Sequence, residues 1–157
     1  MSSTSDYYNS NADQYIRDTL GADMQSLYQT FLKSIPVNGY ILDAGCGSGR
    51  DAQAFQKLGY QISAFDASAR LAEAASKLLG QSVSVKRFDE ISEIEVYDGI
   101  WACASLLHVP SGQLPANFDC LWGTLKPGGV LYCSFKCGQG ERQRRVVHVL
   151  REDAGTD

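Results

Sequence analysis

The chain has 157 residues, 44% of them hydrophobic and 20% charged, with a formal net charge of -4. That length supports one domain with its own core, and the acidic balance excludes the basic footprint of a nucleic-acid binder. No apolar run approaches the roughly 20 residues of a membrane span. The start, "MSSTSDYYNS", lacks a basic-then-apolar leader, so a cytoplasmic protein with no membrane partner is expected.

From Asp23 onward, Met24, Leu27, Tyr28, Phe31, Leu32 and Ile35 recur at helical spacing until Pro36 and Asn38-Gly39 end the helix. Residues 1–38 therefore read as an N-terminal helical cap. "YILDAG" follows as a buried strand, then a glycine turn, then a helix from about Asp51 to Leu58 with Ala52, Phe55 and Leu58 inward. "YQISAFD" is a second strand. "SARLAEAASKLLG" is a helix with Ser68 as N-cap and Gly80 as its stop. "SVSVKRFD" reads as a third strand ending near Asp89, and "DGIWACAS" as the fourth. "LPANFDCLWGTL" is a helix stopped by Lys126-Pro127-Gly128-Gly129, and "VLYCSFK" is the fifth strand. Strands alternating with helices predict an α/β fold, a three-layer αβα sandwich around a mostly parallel, Rossmann-like sheet. The α/β core spans 39–137, and 138–157 is a short atypical tail.

Five cysteines, an odd count, argue against a disulfide framework. Cys133 and Cys137 lack a second Cys/His pair at zinc spacing, so no metal site is expected, and the thiols read mostly as small core residues.

The turn "GCGSGR" carries the chemistry. In an open α/β sheet, ligands bind beyond the carboxyl ends of the strands, and a glycine-rich turn there lets backbone N–H groups approach closely. Gly45, Gly47 and Gly49 spell G-x-G-x-G, and Arg50 occupies the place of a dinucleotide fingerprint's third glycine. Asp43, just before the turn, suits an ammonium group better than a pyrophosphate. Asp66 ends the second strand, where a carboxylate can accept from a ribose diol. Asp89 ends the third, where an adenine amine could donate to it. Those parts describe S-adenosylmethionine. Each residue also has a plainer reading. The turn could be a tight connection, Asp66 a helix cap as well or instead, and Asp89 a solvated residue. Leu71 and Phe88 are either core or the walls of an adenine slot. His108, in "SLLHVP", is either a base near the methyl acceptor or bonded to loop backbone.

"ILDAGCGSGRDA", "AFDAS", "RFDEI", "YDGIWACASLLHV" and "LKPGGVLYCSF", in that order, resemble the motifs of the class I S-adenosylmethionine-dependent methyltransferases. "GSGRDA", "ACASLLHVP" and "SFKCGQGER" are most similar to the small-molecule branch containing the tellurite-resistance-type enzymes. The resemblance implies the strand order 3-2-1-4-5 and in-line methyl transfer to a small molecule. It also implies that Tyr15, Cys46, Ala67 and Ala104 lie against the cofactor beside the residues above. Tyr8 and Tyr15 would then belong to a lid, or else anchor a surface helix. The chain departs from the family after "SFK", where the usual last two strands are not recognisable. Strand five would then expose an edge, to be covered by Val146 to Leu150 or by a second copy in a homodimer. The rival readings are a catalytically weak S-adenosylmethionine binder or truncated fragment, and a nicotinamide-dependent oxidoreductase.

Overall fold

The computed structural model describes residues 24–103, 114–136 and 144–152. Helix α1 (Gln25–Leu32) leads into strand β1 (Tyr40–Ala44), helix α2 (Arg50–Lys57), strand β2 (Gln61–Asp66) and helix α3 (Ala69–Leu79). Strand β3 (Ser84–Val85), a 3-10 turn (Phe88–Glu90), strand β4 (Tyr97–Cys103), helix α4 (Leu114–Thr124), strand β5 (Leu125–Lys136) and strand β6 (Arg144–Leu150) follow. One six-stranded sheet runs β3-β2-β1-β4-β5-β6. It is parallel except for β6, which pairs antiparallel with β5.

The strands alternate between two cores, as the period-2 pleat requires. Ile41, Ile62, Ala64, Trp101, Val130 and Tyr132 pack against α1, α2 and α3. Leu42, Phe65, Ile100, Ala102, Leu131 and Cys133 pack on the opposite face with Leu121 of α4. Both faces are covered, so β1 and β4 are apolar almost throughout. Asp43 is the exception in β1. The register pairs it with Ala64 and Trp101, on the same side as Ile41 and under α2. Crossovers run one way from β1 through β2 to β3, and the other way through β4 to β5, so the β1–β4 junction is the topological switch point.

Helix α3 forms as its caps dictate. Ser68 accepts a hydrogen bond from the Leu71 N–H at 3.3 Å, and Gly80 closes the helix in the left-handed conformation. One expectation needs correction. The third strand stops at Val85, well short of Asp89, because Glu90 accepts from the Arg87 N–H at 2.7 Å and folds the chain into a 3-10 turn. The edge of strand five, for which Val146 to Leu150 or a second copy is the expected cover, is paired over seven residues by β6, which includes Val146 to Leu150. The tail is latched there by Arg151, whose backbone exchanges hydrogen bonds with Gly128 and Gly129. Its guanidinium donates to the carbonyls of Trp122 and Leu125. The strand-five edge is thus filled by the chain itself.

Among the described residues, no helix is long and apolar enough to cross a membrane, and no cluster of His, Cys, Asp and Glu is arranged to hold a metal.

Candidate functional site

The turn between β1 and α2 runs through three left-handed glycines, with φ of 73° at Gly45, 57° at Gly47 and 89° at Gly49. An L side chain resists that conformation, which explains why glycine recurs at alternate positions. Gly49 is constrained twice. A Cβ there would sit 3.2 Å from the Ala75 Cβ and 3.3 Å from its Cα, so only glycine lets α2 start this close to α3.

The turn is tied to β2. Gly45 and Cys46 donate their N–H groups to the Phe65 carbonyl at 3.0 and 2.9 Å. Asp66 accepts from Gly47 N–H and Ser68 N–H, each at 2.8 Å. It therefore joins the glycine turn to the start of α3. Burial raises the Asp66 pKa, while the N–H groups of Ser68, Gly47 and Ala67 oppose that rise.

Above β1 and β4 these elements form a small open cleft lined by Asp43, Gly45, Cys46, Ser48, Arg50, Asp51 and Cys103. Asp43 is its floor, 2% exposed. Its carboxylate accepts from the Ala52 N–H, but Oδ2 is buried with no hydrogen-bond partner among the described residues. Burial raises the Asp43 pKa well above the usual carboxylate range, and the Asp51 charge adds to the rise. Arg50 pulls the other way. Burial, with Asp43 and Asp66 nearby, likewise pushes the Cys46 thiol well up, so it is a neutral wall and not a nucleophile. A buried carboxylate oxygen without a donor is costly unless something supplies one.

A profile of the methyltransferase domain matches residues 14–153. The chain belongs to the methyltransferase-domain family. Among solved structures, the domain superposes on a TehB-like S-adenosylmethionine-dependent methyltransferase from Corynebacterium glutamicum with a TM-score of 0.72. The two are 23% identical over 86% of this chain and 76% of that one. Magnesium protoporphyrin IX methyltransferase from Synechocystis, solved with bound S-adenosylmethionine, gives a TM-score of 0.71 at 16% identity, covering 94% of each chain. These likenesses establish the fold. The methyltransferase domain spans about half the length of other structures it matches, 54% of one from Bacillus halodurans and 53% of one from Pyrococcus horikoshii. No curated protein sequence matches the chain.

Within this methyltransferase domain, the sequence-predicted residues divide. Asp43, Gly45 and Cys46 meet in the cleft, and Gly47 binds Asp66 beside it. Gly49 is buried behind the turn, and Ala67 is exposed just past Asp66. Leu71 is fully buried in the core. Phe88 is half-buried with its ring edge-on to Phe65 at 5.4 Å. Asp89 is exposed, ion-paired with Arg87 at 3.0 Å on the 3-10 turn. Tyr15, Ala104 and His108 lie outside the described residues.

Sequence reasoning missed Ser48, Arg50, Asp51 and Cys103 as lining residues. For Asp51 a signal existed. It stands four residues before Phe55 and one before Ala52, so a charged side chain shares the apolar face of α2. Cys103 follows from the β1–β4 pairing, which carries the end of β4 to the glycine turn.

Proposed function

We propose that this domain binds S-adenosylmethionine in the cleft at the carboxyl ends of β1, β2 and β4 and transfers its methyl group to a small molecule. The observation that carries this reading is Asp43 Oδ2, a buried acceptor with no donor among the described residues, in a carboxylate that lines the same cleft as the glycine turn. An ammonium group supplies the missing donor; a pyrophosphate cannot. The donor set thus fits the amino-acid end of that cofactor and disfavours a nicotinamide dinucleotide. The sulfonium, when bound, supplies an activated methyl group and a neutral leaving group.

The chain's own part is positioning. Asp43 holds the ammonium, and the backbone from Gly45 to Gly49 lines the methionine and ribose. Asp66, fixed at the tip of β2, offers its remaining lone pairs to the ribose hydroxyls. Alignment of reactants alone accounts for roughly 7–11 kcal/mol of barrier reduction, so no acid or base from the described residues is required. The formal net charge of -4 supports a small acceptor over a nucleic acid.

Calorimetric titration with S-adenosylhomocysteine tests the reading, with NADH as the competing arm. Saturable heat with the first and none with the second is expected. No heat with S-adenosylhomocysteine overturns the assignment. Binding without methyl transfer to a panel of thiol, amine, carboxylate and oxyanion acceptors leaves a cofactor binder and removes the enzyme.

A further inference from the structure

The sheet ends differently on its two sides. On one side β3 is a two-residue strand, Ser84–Val85, too short to template another chain. On the other side β6 runs for seven residues, and among the described residues it pairs with β5 only. Its register steps from Lys136↔Arg144 to Val130↔Leu150 without a bulge, and Arg144–Leu150 contains neither proline nor glycine. Short length, a bulge or a proline would blunt such an edge, and β6 has none of the three. The bonds from Arg151 to Gly129, Trp122 and Leu125 hold its end down, so the outer row of backbone groups is preformed.

This edge is also uncovered at one end and unbalanced at the other. Val149 and Leu150 are 38% and 59% exposed. At the start of β6 the register sets Arg144 opposite Lys136, two like charges, a pairing that a sheet disfavours. Past the strand the polarity reverses. Arg151 already meets Glu95 at 3.2 Å, and the exposed Glu152 follows it.

A strand that starts basic and runs out into an acid complements a copy of itself laid antiparallel. A parallel copy would instead set arginine beside arginine. With a two-fold axis at His148, continuing the register past Leu150, Arg144 stands opposite Glu152 of the partner subunit. Val146 and Val147 stand opposite the partner subunit's Leu150 and Val149. Arg145 stands opposite the partner's Arg151, whose charge Glu95 offsets. Apolar pairs and opposite charges directly across are the pairings that stabilise antiparallel strands.

We infer that the outer edge of β6 is a self-association surface, at which two copies of this chain join antiparallel about a two-fold axis to make one continuous sheet. The inference stands apart from the cofactor reading, since β5 separates β6 from the β1–β4 junction.

Sedimentation of the full chain through a dilution series tests it, with a species of twice the 17.1 kDa chain mass expected at the concentrated end. Arg144→Glu and Glu152→Arg should each weaken the dimer about tenfold, the effect of turning two exposed ion pairs repulsive. The double reversal should recover most of that loss, which a merely structural role for either residue would not do. Circular dichroism checks that each variant is folded. Hydrogen exchange gives a second reading: the alternate β6 amides that do not bond to β5 should become protected as concentration rises. A monomer at every concentration overturns the proposal, whether those amides stay open or are closed by another part of the chain. So does a dimer indifferent to both reversals, or one that the double reversal fails to restore. Growth into open-ended assemblies also overturns it, because a two-fold contact closes on itself.

Discussion

Substituting Gly49 by alanine separates two costs that the glycine turn combines. The first is conformational. At φ 89° an L residue is left-handed, which costs about 1–2 kcal/mol, and the narrower unfolded ensemble of alanine returns about 0.4–1 kcal/mol. The second is steric. The new Cβ would meet the Cβ and Cα of Ala75 at 3.2 and 3.3 Å, and Ala75 is fully buried on α3, so a backbone must move. Overpacking of this kind costs about 1–3 kcal/mol. Gly128 is the matched control, with φ 85° and no atom within 4 Å of an added Cβ. Gly128→Ala should therefore lose about 1 kcal/mol, and Gly49→Ala about 2–4 kcal/mol. Urea denaturation followed by circular dichroism reads both, provided the slopes match the wild type. Because the glycine turn lines the cleft, Gly49→Ala should also weaken S-adenosylhomocysteine binding, while Gly128→Ala should not. Equal stability losses in the two variants would refute the account of why α2 and α3 approach so closely.

Two further outcomes follow from the floor of the cleft. The folded-state pKa of Asp43 is raised by burial and by the Asp51 charge, so its contribution to stability is fully present below the unfolded value of about 3.9 and is lost as pH rises through the higher folded value. Asp43→Asn should accordingly gain on the wild type across that window and hold its advantage at neutral pH, while losing affinity for S-adenosylhomocysteine; parallel stability–pH curves for the two proteins would contradict this. Tyr28→Phe removes one donor to the buried Asp51 carboxylate and should cost about 1.5–3 kcal/mol by urea denaturation, as hydrogen bonds to charged groups do. A loss below about 0.5 kcal/mol would mean the hydroxyl adds nothing to the hold on the Asp51 carboxylate.

Much of this architecture is written locally. The short apolar runs of β1, β2, β4 and β5, the Ser68 and Gly80 caps of α3, and the alternate glycines of the turn each depend on residues within a few positions of one another. Short-range sterics and hydrogen bonding decide them, so a single sequence displays them. Asp43 stood out for the same reason, as a carboxylate inside an apolar strand.

The remainder was settled by residues far apart in the chain. Asp51 looks like an ordinary first-turn helix acid, favoured by the helix dipole. It becomes the hub beneath the cleft only because β4 brings Trp101, fifty positions on, and α1 brings Tyr28, twenty-three positions back. The basic-then-acidic tail shows no strong strand pattern, yet β6 forms because β5 offers an open row of backbone groups and Arg151 anchors the return. Asp89 leaves its strand because Glu90 competes locally for the Arg87 N–H, on a sheet edge where only β2 holds β3 in place. Pattern and spacing thus specified the sheet and its glycine turn. Which charges share the cleft was decided by pairing and burial, whose partners become neighbours only after the chain has folded.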